Sequence, residues 1–227
     1  MKLSNKILIG FFGIIFLYLT AVFAEIRLRG TPNIIDDTNS IAETADIPAV
    51  AYLVLRNLDK DVNVIGSDQP RLEVRSFSGN LLQRVKYNIS GDTLTLSHLH
   101  SDDIKTIKIT LFVAKTGLHG MTVDSAAAIV KGLQQEVLYI FQHAGRISMS
   151  DNTIAKIHME ASARSHLDIS STNLDTLSAK IEESQAYISS SIKRLEGSMK
   201  SNSFLRVHDI EEIQFKKDKS STLTWYQ

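Results

Sequence analysis

The 227-residue chain contains no cysteine. Zinc–thiolate sites, thiol nucleophiles and disulfide frameworks are thereby excluded, so any exported part must fold without crosslinks. Charge of one sign is also lacking, because 25 Lys plus Arg balance 25 Asp plus Glu. No nucleic-acid partner is expected, since displacing counterions from phosphates takes a basic face. There is no Gly-x-Ser-x-Gly, no Walker loop and no dinucleotide fingerprint, and therefore no signature of the enzymes that use them. Residues 157–209 contain no proline and no Asn-Gly or Asp-Gly pair, which argues against a meander of tight hairpins there.

What is present begins at the N-terminus. Lys2 and Lys6 precede ILIGFFGIIFLYLTAVFA (7–24), eighteen positions without a charge. As a helix this run is about 27 Å long, close to the ~30 Å hydrocarbon core. The lysines favour a cytoplasmic N-terminus with the rest of the chain on the far side of a membrane. Val22 and Ala24 also form a small-residue cleavage site before Glu25. The run exceeds the usual signal-peptide core, and Tyr18 and Phe23 near its end are bulky, so a retained signal-anchor over 1–24 is expected, with cleavage as the alternative. Residues 25–50 read as a juxtamembrane linker in which IAETADIPAV has room for one helical turn before Pro48.

From residue 51 the pattern changes to period 2. VAYLVLRNL, DVNVIG, RLEVRSF, RVKYNIS, DTLTLSHL and IKTIKITLFVA alternate or run apolar, which predicts a β-strand region over 51–117. Residues 118–227 repeat. Met121, Leu138, Ile157, Leu177, Leu195 and Ile213 follow one another at gaps of 17, 19, 20, 18 and 18. A second ladder of Ile129, Ile147, Leu167, Ile188, Leu205 and Leu223 has gaps of 18, 20, 21, 17 and 18. Each member opens a triplet such as Ile157-His-Met159 or Leu167-Asp-Ile169, apolar on one side and polar on the other, as a half-buried strand requires. Tyr139, between Leu138 and Ile140, is the one large residue at an outward position.

Small polar stretches (HAGR, ASARSH, ESQA, KSNS, KSST) precede most second-ladder residues. A corner stacked between identical corners has room for little else, and Ser and Asn can satisfy its backbone with their own oxygens. Two short strands per repeat cannot bury their apolar side alone, so successive repeats must stack. The prediction is an all-β, right-handed parallel β-helix of about 18–21 residues per rung, six rungs making a prism ~29 Å long. FKKDKSSTLTWYQ then reads either as a C-terminal cap, with Lys216, Lys217 and Lys219 deterring an incoming strand and Trp225 and Tyr226 covering the end of the core, or as an ordinary tail.

VLRNLDKDVNVIGSDQPRLEVRS, NLLQRVKYNISGDTLTL and IKITLFVAKTGLHGMTVDSAAAIV together resemble the opening and the step into the repeats of the head-domain GIN family ("putative auto-transporter adhesin"), bacterial envelope proteins of stacked β-strands. The likeness spans roughly residues 50–225. It departs from the family at the corners, where Ser125-Ala-Ala-Ala128, Ser184-Gln-Ala186 and Ser201-Asn-Ser203 lack the usual glycine and only Gly145 keeps one. The resemblance implies an adhesin-like module with no catalytic residues.

The residues themselves offer little chemistry. His98-x-His100 with Asp102 and Asp103 has ligand spacing, but reads better as a solvated strand end. His158-Met-Glu160 has the outline of a zinc-deaminase motif without the cysteines. The carboxylates Asp168, Glu182 and Glu212, like Asp36-Asp37, do not converge on one groove as a glycoside hydrolase would need. Arg194, Lys200 and Arg206, with Tyr187 and Phe204, read as exposed charges beside core rings. No catalytic residue, metal or cofactor is expected. The expected function is a non-enzymatic envelope protein displaying a β-helix for binding, in contact with the membrane through its N-terminal helix and with a glycan or envelope protein through outward residues such as Tyr139, His158, Asp168 and Arg206. A carbohydrate-active enzyme on the same scaffold and a structural membrane accessory are the alternatives.

Overall fold

The computed structural model describes residues 3–29, 35, 38–97 and 107–226. His98, His100, Asp102, Asp103, Asp36 and Asp37 lie outside the described residues. Two units are present, residues 1–34 and residues 35–227.

In the first unit, helix α1 (Leu3–Arg29) contains the 18-residue window Leu8–Glu25, of mean hydropathy 2.1 and 0% buried. It is long and apolar enough to cross a membrane, and the helix continues without a break through Val22, Phe23 and Ala24.

In the second unit the described residues form nineteen strands in two sheets, numbered in chain order. Sheet A runs, side by side, β1 (Ile41–Asp46), β4 (Arg71–Ser76), β7 (Ile107–Ala114), β3 (Asp61–Ser67), β9 (Ala127–Lys131), β11 (Arg146–Ser150), β13 (His166–Ile169), β15 (Gln185–Ile188), β17 (Phe204–His208) and β19 (Thr222–Tyr226). Sheet B runs β18 (Ile210–Lys217), β16 (Ile192–Lys200), β14 (Asn173–Glu182), β12 (Thr153–Ser162), β10 (Gln134–His143), β8 (Gly120–Asp124), β2 (Tyr52–Arg56), β6 (Thr93–Ser97) and β5 (Tyr87–Ser90). From β8 onward the chain alternates between the sheets, and each strand lies parallel to its equivalent one turn away. The protein is all-β, a β-solenoid of about six turns.

Residues before β8 extend the same two sheets. The β2–β3 turn pairs parallel with β8 and β9, and β6–β7 lies beyond it. That end is closed by antiparallel strands: β5 on β6, β4 on β7, and β1 outermost on β4. The helical turn expected in IAETADIPAV is instead strand β1, because pairing with β4 satisfies a whole row of backbone groups. Ile47 and Val50, just after it, are buried in the core, and the Glu43 carboxylate accepts hydrogen bonds from the Leu81 and Leu82 amides at 2.7 and 3.3 Å.

The true registers revise both ladders. Leu138, Ile157, Leu177, Leu195 and Ile213 do stack, but Met121 lies beside Ile140, not Leu138. Ile147, Leu167, Leu205 and Leu223 share a column whose other members are Ala128 and Ala186. Ile129 lies beside Ser148, and Ile188 belongs with Ile169 and Val207 one column along. Choosing the bulky aliphatic in each repeat passes over two alanines that fill core positions. Each long sheet-B strand also kinks at the same place: Ala155, Asp175, Lys193 and Glu211 fall outside the paired register. Apolar residues therefore recur three apart there, as in Ile154-Ala-Lys-Ile157.

The corners explain the serines. Ser165, Ser184, Ser203 and Ser221 are all buried and stacked. The Ser165 amide donates to Ser184 Oγ (3.1 Å), the Ser184 amide to Ser203 Oγ (3.4 Å), and the Ser203 amide to Ser221 Oγ (3.2 Å). Each turn thus closes the hydrogen bonding of its neighbour, which a glycine could not do. The left-handed backbone that glycine would favour is present nonetheless, at Ser125, Ala144 and Glu183 (φ 50°, 48° and 48°). The second corner is built alike: Asn152 Oδ1 accepts from the Leu133 amide (3.0 Å), and Ser190 Oγ accepts from the Thr172 amide (3.0 Å).

At the far end, nothing among the described residues covers β18 and β19. Trp225 stands in the inward column above Val207, yet it is 51% exposed, and Tyr226 is 52% exposed. The rings expected to close the core do not bury themselves on it, and Ile213, Phe215 and Leu223 are only partly buried.

Candidate binding surfaces

The side chains that alternate with the core form two outer faces. On sheet B, Tyr139 and His158 are register partners on neighbouring turns. Their rings stack at 4.9 Å between centroids and 8° between planes. Burial, followed by the nearby Lys156 charge, lowers the His158 pKa from its ordinary 6.5, so the imidazole on the phenol ring is neutral at pH 7. Phe141 lies exposed two residues further along the same strand. Elsewhere on this face the charges neutralise one another across turns, in the pairs Lys180–Glu160 (2.8 Å), Lys156–Glu196 (3.1 Å), Lys193–Asp175 (2.7 Å), Arg194–Glu212 (2.8 Å) and Lys200–Glu182 (3.0 Å). These pairs are largely solvent-exposed and contribute little to stability. They leave the face with few free charges.

Sheet A differs. Asp168, Tyr187, Arg206 and Thr224 form one outward column, with Phe204 and His166 in the column beside it. The rings gather: His166–Tyr187 at 5.3 Å and Tyr187–Phe204 at 5.4 Å between centroids. The Arg206 guanidinium carbon lies 5.5–5.9 Å from the ring centres of Phe204, Tyr187 and Tyr226, within cation–π range. Among the described residues no carboxylate pairs with Arg206. An open cavity of ≈ 500 Å³ adjoins this patch at the serine corner, lined by Arg164, His166, Glu183, Gln185 and Asn202 among others.

The four residues nominated from the sequence therefore divide. Tyr139 and His158 touch on sheet B. Asp168 and Arg206 stand on sheet A with Tyr187 between them, roughly 9.6 Å apart at two rung spacings. The charges read together from the sequence also divide, since Arg194 and Lys200 belong to sheet B and are each ion-paired. Tyr187 and Phe204 are not core rings: each precedes or follows an inward residue (Ala186, Ile188, Leu205) and so faces outward. Alternation alone carries that signal. Among the described residues no three His, Asp or Glu gather as a metal site would require. Asp168 is on sheet A, whereas Glu182 and Glu212 are held by cations on sheet B. Nothing in that arrangement pairs an acid with a base across a substrate.

No family model matches the sequence, and no curated protein matches it. Several solved structures match its fold. A "putative adhesin" from Bacteroides fragilis superposes with a TM-score of 0.60 at 10% identity, over 84% of this chain and 98% of its own. A "putative lipid binding protein" from Parabacteroides distasonis gives 0.59 at 13%, over 86% and 99%. A second "putative adhesin" from Parabacteroides distasonis gives 0.57 at 13%, over 84% and 94%. At these identities the likeness is one of fold.

Proposed function

We propose that this chain is an envelope-displayed binding module of the GIN adhesin type, held at a membrane by α1, and that the outer face of sheet A around Arg206 binds an extended glycan bearing acidic groups. The observation that carries this is the Arg206 guanidinium, without a carboxylate partner among the described residues and ringed by Tyr187, Phe204 and Tyr226. Aromatic faces accept the apolar faces of sugar rings, while the guanidinium fork pairs with a carboxylate or sulfate. The ~4.8 Å steps between turns suit a polymer lying along the solenoid. The apolar helix is compatible with a retained anchor, and Lys2 and Lys6 support an outward-facing solenoid.

The test is binding of the full-length protein, in detergent micelles or nanodiscs, to a panel of acidic and neutral polysaccharides. Binding to acidic chains is expected to weaken about tenfold in Arg206→Ala, the size of one lost charge-assisted contact, and also in Tyr187→Ala. Equal binding by wild type and both variants would remove sheet A as the site. Cleavage of any polymer would replace the binding reading with the enzyme one. Capture of an envelope protein without glycan would favour the accessory role.

A further inference from the structure

The uncovered end of the solenoid carries a pattern that the glycan reading does not use. β18 is the edge of sheet B, so every second residue points its backbone N–H and C=O away from β16 with no strand to receive them. Its sequence is Ile-Glu-Glu-Ile-Gln-Phe-Lys-Lys, acidic at one end, basic at the other, with Gln214 in the middle. On it and on β19, the last-turn core residues Ile213, Phe215 and Leu223 are partly uncovered and Trp225 is half exposed. Lysines at an edge ordinarily repel an incoming strand. Here they are matched by glutamates on the same strand.

We propose that β18 pairs antiparallel with the β18 of a second copy, about a two-fold axis through Gln214, joining two solenoids end to end. Register selects this arrangement. With Gln214 opposite itself, Glu212 faces the second copy's Lys216 and Ile213 faces its Phe215. Glu212, Gln214 and Lys216 all lie on the outer face of the sheet, and Ile213 and Phe215 on the core side, so each contact joins side chains on the same face. A shift of one residue places Glu212 against Phe215 and loses the match. Lys216 has no ion pair among the described residues, and Glu212, already 2.8 Å from Arg194, would sit between two cations. The same axis turns the half-exposed Trp225 and Leu223 of one copy towards those of the other. A two-fold axis makes this contact self-complementary and closed, so the product is a dimer, not a filament.

The chain has no cysteine, which allows a direct test on the full-length protein in detergent micelles. Gln214→Cys places two thiols across the axis and is expected to give a disulfide-linked dimer on mild oxidation. Ser178→Cys, in the same outward column two turns away, should not. Lys216→Glu sets a second carboxylate against Glu212 across the axis and is expected to weaken self-association about tenfold by sedimentation. Mixing Lys216→Glu with Glu212→Lys restores both ion pairs in a heterodimer, although neither variant should pair well with itself. Retained β-sheet circular dichroism separates lost pairing from lost folding. The proposal is overturned if Gln214→Cys crosslinks no more than Ser178→Cys, if Lys216→Glu leaves self-association unchanged, or if the mixture forms no heterodimer. None of these outcomes depends on Arg206, so the glycan reading stands or falls separately.

Discussion

The two ends of the solenoid solve one physical problem in opposite ways. At the β6–β7 end the chain reverses, lays antiparallel strands over the last parallel turn, and buries Leu72, Val74, Leu94 and Leu111 almost completely. Glu43 of the outermost strand even ties down the Leu81 and Leu82 amides. At the β18–β19 end no described residue lies over the last turn, and residues in the same inward columns are left half in water. A stack of identical turns has no intrinsic way to finish. One end is finished by breaking the repeat, while the other keeps its most regular form, with a strand whose charges complement a copy of itself.

The largest expected effect tests this contrast. Leu111→Ala, in the closed end, should destabilise by about 3 kcal/mol, whereas the chemically equal Leu223→Ala at the open end should cost under about 1 kcal/mol by denaturant unfolding at concentrations where the protein is monomeric. Equal costs would mean that the open end is covered in solution. Gly197→Ala comes next. Its φ is +129°, and an added Cβ would collide with the Ala179 carbonyl oxygen, so a loss of about 2 kcal/mol or more is expected with local shifts in β16. Ser184→Ala removes one step of the serine stack and leaves the Ser165 amide without that acceptor, at a cost of about 1 kcal/mol. In the opposite direction, both amide atoms of Gln135 are buried without partners, so Gln135→Leu should raise stability by about 1 kcal/mol.

The smallest effect is local and pH-dependent. Asp218 receives hydrogen bonds from Ser221, from the Ser201 amide and from Ser220, which lower its pKa from 3.8 to about 2. A depressed carboxyl stabilises the fold fully above pH 3.8 and loses that contribution as the pH falls through about 2. Amide exchange at Ser201 and Ser221 should accelerate over that interval, and the acceleration should vanish in Asp218→Asn. Amides of β4, at the closed end, serve as the reference in the same experiment.

Much of the architecture is legible in the sequence because two-residue alternation and an 18–21-residue return both survive there. The differences cluster where bulk is a poor guide to position. Ala128 and Ala186 hold core columns that a search for bulky aliphatics gives to isoleucines. β1 reads as a helical turn because a short polar segment carries no period of its own, and its strand form depends on β4 lying beside it. The candidate surface is half legible. Tyr139 and His158 are each visible as outward residues, but only the registers bring them into contact. Tyr187 and Phe204 pass for core rings on bulk, although alternation puts both outside beside Arg206.

The sequence by itself determined the membrane-compatible helix, the absence of thiol and motif chemistry, and a stacked, two-column β fold, because these follow from composition and from periodicities local to each turn. Tertiary structure alone decided which turn lies beside which and that β2–β3 sits between β6–β7 and β8–β9. It also decided that one end is closed and that nothing among the described residues covers the other. Those outcomes depend on hydrogen bonds between residues far apart in the chain.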